Sequence, residues 1–307
     1  MTTYLLLGAN GFLGNQVREA IERSDDSPTL VAVSRHPSRL RTSANGRWQP
    51  MDLVHASAED FVSLLADSKP DAIINCVGCT SGPPELLEAA NATVVEKLVM
   101  ALSVTEPIPL VHMGSAAEYG RQPEGIAIEE SAVARPVGDY ARTKLEATDL
   151  VTNMVTRGAI RATVLRVFNP VGRSAPANSL AGTAARAINR ALISRSSYIT
   201  LGPLCSFRDF LASTDVATAA LRAIHNIDAH PVLNVGRGVA MSCRSMVELL
   251  ADAAGFEGDV FESVGGSQRS AAVPWQQADV TLLRRHLQWV PTTPIAEAVA
   301  DLWQSGT

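Results

Sequence analysis

The 307-residue chain predicts an α/β protein: a doubly wound parallel sheet with a smaller, interleaved C-terminal domain. Three observations carry that expectation. Short, continuously apolar runs alternate with longer helical patterns, a glycine-rich turn follows the first run, and the alternation loosens after residue 168. A strand with one wet face would alternate polar and apolar residues. Continuously apolar strands separated by helices therefore imply a parallel sheet covered on both faces.

In chain order, Tyr4–Leu7 is the first strand and Phe12–Arg23 the first helix. The strand Leu30–Val33, a helix over Glu59–Ala66, the strand Ala72–Asn75 and a helix over Glu85–Ser103 follow. Leu110–Met113, a helix over Asp139–Thr156 and Ala162–Val167 complete the regular half. Beyond it, "NPVGRSAPANS" is a proline- and serine-rich loop leading into a helix over Leu180–Ser194, and "SSYITLGPLCSFRDF" reads as a short strand and turn. Thr214–Ile227 and Val232–Val235 form a helix–strand unit able to rejoin the sheet, and the tail carries helical patterns at Ser245–Ala254 and Pro294–Trp303. The expected division is a nucleotide-binding domain of residues 1–168 and 209–237, and a substrate-binding domain of residues 169–208 and 238–307.

Composition narrows the function. Hydrophobic residues make up 46% and charged residues 19%, an ordinary globular balance. The formal charge of −5 offers no basic face for a nucleic-acid backbone. No run approaches the roughly 18 apolar residues of a membrane helix, and "TYLLLGANG" is too short to be a targeting segment. Cys76, Cys79, Cys205 and Cys243 suit reduced thiols, so a cytoplasmic protein is expected. Cys76 and Cys79 form a C-x-x-C, but no second pair stands at zinc-ligand spacing, so no metal is expected.

"GANGFLG" puts Gly8, Gly11 and Gly14 between the first strand and the first helix. Gly8 permits the tight turn, Gly11 allows close backbone approach, and Gly14 lets the helix pack on the strand. The loop Gly8, Asn10, Gly11, Phe12, Leu13 and Gly14 would then present helix-start N–H groups to a pyrophosphate, as in a Rossmann-type fold. The second strand ends in Ser34 and Arg35, with Arg39 and Arg41 close behind, where an NAD-selecting chain carries an acidic residue. A guanidinium pairs with a 2′-phosphate that a carboxylate would repel. NADP(H) is therefore the expected cofactor, with NAD(H) as the alternative.

In "GDYARTKLEA", Tyr140 and Lys144 stand four apart and share one helix face. An ammonium beside a phenol favours the phenolate and lowers a pKa otherwise near 10. Ser115, at the carboxyl end of the strand in "VHMGSAAEYG", could hydrogen-bond a substrate carbonyl while Tyr140 delivers a proton. Glu118 is ionisable and close to these residues.

These segments together resemble the extended short-chain dehydrogenases/reductases, the NAD(P)-dependent epimerase/dehydratase group that acts largely on nucleotide-linked sugars. The resemblance spans nearly the whole chain: "GANGFLG", Asp52-Leu53, Asn91 in "ANATVVEKL", "GSAAEYG", "YARTK", "LRVFNPVG", "SFRDFLASTDVA" and "LNVGRG". "HMGSAAEYG" is similar to the segment of nucleotide-4-keto-6-deoxysugar reductases. The resemblance implies Ser115, Tyr140 and Lys144 as catalytic residues with Asn91 in support. It also implies Asp52 and Leu53 at the adenine, Lys144 on the nicotinamide ribose, and Asn169 and Arg208 on the nucleotide-sugar. Thr93 and Val94 depart from the small pair common in the family, and Ala116 and Ala117 replace the Asp-Glu pair of its dehydratases. Methyl groups transfer no proton, so dehydration is not expected.

The leading expectation is an NADPH-dependent ketoreductase of a nucleotide-linked 4-keto-6-deoxy sugar. A 4-epimerase with retained NAD, a reductase of a polyketide or other natural-product ketone, and a non-catalytic NADP sensor are the alternatives. A small-molecule substrate is expected, with neither nucleic acid nor membrane as partner. A homodimer is also expected. The helix Glu85–Ser103 carries Leu86, Leu87, Val94, Val95, Leu98, Val99 and Leu102, apolar over more than one face, and family members often pair through this helix and the Tyr-Lys helix.

Overall fold

The computed structural model describes residues 2–36, 46–228, 230–263 and 273–306. Seven parallel strands form the main sheet. They are β1 (Thr3–Leu7), β2 (Thr29–Ser34), β3 (Gly46–Pro50), β4 (Ala72–Asn75), β5 (Leu110–Ser115), β6 (Ala162–Val167) and β11 (Val232–Val235). Their spatial order is β11-β6-β5-β4-β1-β2-β3. The order reverses between β1 and β4, which is where an open α/β sheet places its ligand crevice. The doubly wound expectation holds.

Two apolar layers enclose the sheet. On one face, Val17 and Ile21 of α1 (Phe12–Glu22) and Val216 and Ala220 of α7 (Ser213–His225) pack over Leu6, Ile74 and Leu165. On the other face, α2 (Ala58–Ser68), α4 (Val94–Ser103) and α5 (Asp139–Thr156) cover Leu5, Val31 and Ile73. Ser57 caps α2 in a reciprocal box with Asp60, satisfying two N–H groups that would otherwise lack partners.

The interior strands match the apolar runs closely, because burial on both faces demands such runs. β5 continues through Ser115, which pairs with Val167. β3 has no apolar run: among the described residues it pairs only with β2, and its exposed positions are Arg47 and Pro50. An edge strand contributes backbone to its neighbour and needs no apolar pattern. Arg39 and Arg41 lie outside the described residues.

The helix expected over Glu85–Ser103 is α3 (Pro84–Glu88), one π turn (Ala89–Thr93) and α4. Its apolar breadth is largely covered within the chain. Leu87, Val94, Val95, Leu98, Val99 and Leu102 are buried, while Leu86 and Met100 are exposed. The width of the stripe thus reflects the helix lying between the sheet, α2 and α5.

Past β6 the chain builds a third apolar cluster. Ile188 of α6 (Leu180–Ser194), Met246 and Leu250 of α8 (Cys243–Ala254), and Val299 and Leu302 of the last helix (Ile295–Gln304) meet there. Small sheets surround it. β7 (Asn169–Val171) pairs with β10 (Phe210–Ala212), and β9 (Phe207–Arg208) lies between β12 (Met241–Ser242) and β14 (Trp275–Gln276). β11 and α7 return to the main sheet, as does the helix Thr281–Leu287, whose Leu283 and Leu287 join the first cluster. Among the described residues, no helix is long and apolar enough to cross a membrane.

Asp215 couples the two halves. It is buried in the first turn of α7 and accepts from Thr292 N at 3.3 Å, Thr293 N at 3.1 Å and Thr293 Oγ1 at 3.2 Å, just before the last helix. Asp215→Ala leaves three donors without their acceptor and should destabilise the fold by about 2–3 kcal/mol, read as a lower denaturation midpoint in guanidinium. An unchanged midpoint would refute this coupling.

Candidate active site

Parallel strands bring every strand exit to one edge of the sheet. Adjacent exits there carry Ser34 at the end of β2 with Arg35 following, Gly8 after β1, Cys76 after β4, Ser115 at the end of β5 and Asn169 just past β6. From β2 to β5 is three strand spacings, about 14 Å. The sequence-predicted residues therefore lie along one continuous rim, although they are distant in the chain.

The glycine turn is shaped by contacts that a side chain would destroy. Gly8 has φ +76°, and a Cβ on it would lie 2.9 Å from Val77 N at the exit of β4. A Cβ at Gly14 would lie 2.1 Å from the Gly8 carbonyl oxygen, so α1 sits on the turn as closely as backbone allows. Gly11 is the N-cap of α1 and supplies no side-chain acceptor to the helix's leading N–H groups. Uncapped N–H groups behind a glycine-flanked turn fit a dinucleotide pyrophosphate. Phe12 and Leu13 begin the helix, half-buried.

Next along the rim, Asn10 Nδ2 donates to Ser34 Oγ at 3.1 Å and to the His36 carbonyl. Ser34 Oγ donates to that same carbonyl at 2.7 Å. This knot fixes the exit of β2 and leaves Arg35 exposed beside it. Asp52 accepts from Val54 N at 3.1 Å and meets His55 Nδ1 at 3.0 Å, whereas Leu53 is buried in the sheet's second cluster.

Ser115 ends β5 and caps a single 3₁₀ turn, Ala116–Tyr119. Its Oγ accepts from Ala117 N at 3.2 Å, while its own N–H donates to Glu118 Oε1 at 2.7 Å. Both halves of this capping box orient the serine. Helix α5 contacts β5 and the 3₁₀ turn. It carries Tyr140, half-buried, in its first turn, and Lys144 one turn later. Lys144 is buried and donates its Nζ to the carbonyl of Met113, two residues before Ser115. Burial brings its pKa down to about 8, with the Glu118 carboxylate opposing. The serine strand and the Tyr-Lys helix are thus joined by a direct hydrogen bond.

Asn91, in the π turn, works as a clasp. Its Nδ2 donates to the Cys79 carbonyl at 2.9 Å and to Thr143 Oγ1 at 3.1 Å, and its Oδ1 accepts from Cys79 N at 2.8 Å. It ties the loop after β4 to α5. Cys76 and Cys79 are free thiols. Burial pushes the Cys76 thiol up to about 12, far from a reactive thiolate.

Arg208 is buried in β9, with Nη1 donating to the Phe207 carbonyl at 2.7 Å, and it pairs in register with Gln276. Gln276 Nε2 donates to the Ala116 carbonyl at 3.0 Å, so the arginine's strand is tethered beside Ser115. The neighbouring carboxylate of Asp209 accepts from Arg237 N and Gly238 N, both at 2.8 Å, and from Ala278 N at 3.2 Å; burial raises its pKa to about 6. Asn169 bonds the Asp209 carbonyl through its N–H at 3.0 Å and its Nδ2 at 3.3 Å.

Sequence reasoning missed Arg166, His112 and Asn75. Arg166 Nε binds Glu118 Oε2 at 2.7 Å, and its guanidinium stands 4.5 Å from the centroid of the Tyr119 ring. An arginine inside the otherwise apolar strand "ATVLRV" was the available signal, since a buried cation requires a partner. His112 Nδ1 meets Asn75 Nδ2 at 3.2 Å, and burial, with Lys144 nearby, holds the ring's pKa well below its ordinary value.

Comparison with known proteins bears on this geometry. The model of the NAD dependent epimerase/dehydratase family matches residues 4–236. The chain is similar to the dTDP-6-deoxy-L-talose 4-dehydrogenase (NAD(P)(+)) of Kitasatospora kifunensis, 34% identical over 301 residues, 97% of this chain and 93% of that protein. It is also similar to a UDP-glucose 4-epimerase of Streptomyces lividans, 25% identical over 333 residues, 98% of this chain and 95% of that protein. In fold it matches the structure of RMD from Pseudomonas aeruginosa complexed with NADPH, with a TM-score of 0.82 and 23% identity over 99% of this chain and 98% of the other.

Two glycine variants test the cradle. Gly14→Ala drives a methyl into backbone that cannot yield, and should weaken NADPH binding by roughly tenfold or more, measured by fluorescence titration. Gly11→Ala, whose Cβ would lie 3.2 Å from the Gly8 oxygen, should cost less. Equal affinities for wild type and Gly14→Ala would rule out this turn as the binding site.

Proposed function

We propose, on the premise that this chain belongs to the NAD dependent epimerase/dehydratase family, that it is an NADPH-dependent ketoreductase of a nucleotide-linked 4-keto-6-deoxy sugar. It is an NAD(P)-dependent oxidoreductase of the short-chain dehydrogenase/reductase type that modifies a nucleotide-sugar. The observation that carries the finer reading is the bond from buried Lys144 to the strand that ends in Ser115, with Tyr140 one turn earlier on the same helix. The 4-dehydrogenase relative supports it too, because oxidising a 4-hydroxyl and reducing a 4-ketone are one reaction run in opposite directions.

A reduced nicotinamide, when bound, supplies the hydride to the ketone carbon. The remaining work falls to the chain's own residues. Tyr140 hands its phenolic proton to the carbonyl oxygen as that oxygen becomes an alkoxide, and Ser115 Oγ donates a hydrogen bond to the same oxygen. The Lys144 ammonium favours the phenolate left behind and grips the nicotinamide ribose hydroxyls. Asn91 keeps α5 and the loop after β4 in register for this work. Gly8, Asn10, Gly11, Phe12, Leu13 and Gly14 seat the pyrophosphate. Ser34 and Arg35 hold the 2′-phosphate, and Asp52 and Leu53 border the adenine. Arg208, with Asn169, binds the sugar nucleotide through its diphosphate, and residues 169–208 and 238–307 form the substrate-binding part. Ala116 and Ala117 offer no acid or base for dehydration. No step calls for a metal.

The similarity to a UDP-glucose 4-epimerase favours a second reading, in which the same three residues oxidise and re-reduce one carbon with retained NAD. Arg35 at the exit of β2, with no carboxylate at Ser34, favours NADPH and net reduction. We further propose a homodimer through α3–α4 and α5. Leu86 and Met100 remain exposed on the first of these helices, and paired helices are common in the family.

A panel of nucleotide-4-keto-6-deoxysugars with NADPH or NADH should show nicotinamide oxidation with NADPH preferred. Epimer formation without added reductant would favour the second reading instead. Tyr140→Phe should lose roughly 10²–10⁴-fold in kcat while NADPH affinity is kept; undiminished turnover would eliminate the proton-donor role. Arg208→Ala should raise KM for the nucleotide-sugar by roughly tenfold or more, and an unmoved KM would remove the diphosphate assignment.

A further inference from the structure

A carboxylate that the proposed reaction does not use lies directly beneath it. Glu118 is fully buried: Oε1 accepts from Ser115 N at 2.7 Å, and Oε2 pairs with Arg166 Nε at 2.7 Å. Space for it is made by a neighbour. A Cβ at Gly114 would come within 3.0 Å of Glu118 Oε1 and 2.8 Å of Val164 Cγ1. Arg166 is itself buried, clamped between Glu118, the Tyr119 ring and the Glu130 carbonyl at 3.4 Å. Tyr119 OH donates to Asn234 Oδ1 at 2.7 Å, which ties the pair to β11.

We propose that Glu118 is the positioning residue of this active site: its buried carboxylate fixes the backbone of Ser115 and balances the two cations, Lys144 and Arg166, that flank it. The inference rests on the reading of Ser115, Tyr140 and Lys144 as the reacting set.

The charge argument is local. Around Lys144 stand Glu118 from the 3₁₀ turn, Cys76 from the exit of β4, His112 from β5 and Tyr140 on its own helix. Burial keeps the Cys76 thiol protonated and the His112 ring neutral at neutral pH. Burial raises the Glu118 pKa while Arg166 and Lys144 favour its carboxylate, and that carboxylate in turn favours the Lys144 ammonium. Arg166, from β6, has Glu118, Glu130, Tyr119 and Asp149 about it. With Glu130 and Asp149 left in place around Arg166, the local charge that acts on the tyrosine is set by Lys144, Arg166 and the Glu118 carboxylate between them. Removing the carboxylate raises that charge, and removing the guanidinium lowers it.

The two substitutions should therefore act in opposite directions, which loss of structure alone would not produce. The coupled Tyr140–Lys144 titration is read in the full chain by tyrosinate difference absorbance, with Tyr140→Phe as the blank. Glu118→Gln should move it to lower pH by about half a unit or more, and Arg166→Gln should move it to higher pH by a similar amount. The double variant, which removes both charges, should titrate near wild type; it decides the matter if Glu118→Gln does not fold. In the reductase assay, Glu118→Gln should lower kcat with little change in KM for NADPH. Shifts in the same direction, or no shift in folded variants, would overturn the proposal. Because the titration needs no sugar, a failure of the substrate assignment is distinguishable from a failure of Glu118.

Discussion

Parallel pairing is the constraint on which everything else depends. Strands that all run one way need a crossover between each pair, and the crossovers leave every strand exit on one edge. The turn after β1, the exit of β2 and the serine at the end of β5 become neighbours for that reason alone. Chemistry then requires only that each exit carry a suitable residue. Gly8 and Gly14 are needed because the exit of β4 and the turn itself leave no room for a Cβ, while Lys144 bonds its helix to the Met113 carbonyl near the end of β5.

Beneath that rim the protein keeps an expensive arrangement. Lys144, Glu118 and Arg166 are all buried, and a buried ion pair often costs as much in desolvation as it returns in attraction. Their retention is easier to understand as orientation than as stability. The carboxylate bonds the serine's backbone, the guanidinium bonds the carboxylate and stacks on Tyr119, and Tyr119 is bonded to Asn234 in the outermost strand. A chain of polar contacts thus runs from Ser115 to β11, the nearer edge strand of the sheet.

The sequence discloses what is repeated and local. β4, β6 and β11 lie where apolar runs predict them, and α5 spans the predicted residues, because periodicity records burial directly. The glycine turn is legible for a similar reason: backbone proximity excludes all but one residue type. Non-local facts are harder to see. β3 carries no apolar run because, at the edge, it gives its neighbour mainly backbone, with Trp48 packing against the first cluster. The breadth of the stripe on α4 suggests an outside partner, and the structure covers most of it with α2, α5 and the sheet. Glu118 stands in the sequence as one carboxylate among many, and only the arginine 48 residues away, placed against it by the fold, reveals its environment.

The outer edge of the sheet has a consequence for the protein in concentrated solution. β3 presents Pro50, which has no amide hydrogen, and the exposed guanidinium of Arg47 to any approaching chain. A stray strand would find a missing donor and a like-for-like charge clash with another copy of itself. This outer edge is in this way made a poor template for fibril growth, and a crowded preparation should resist stacking along it.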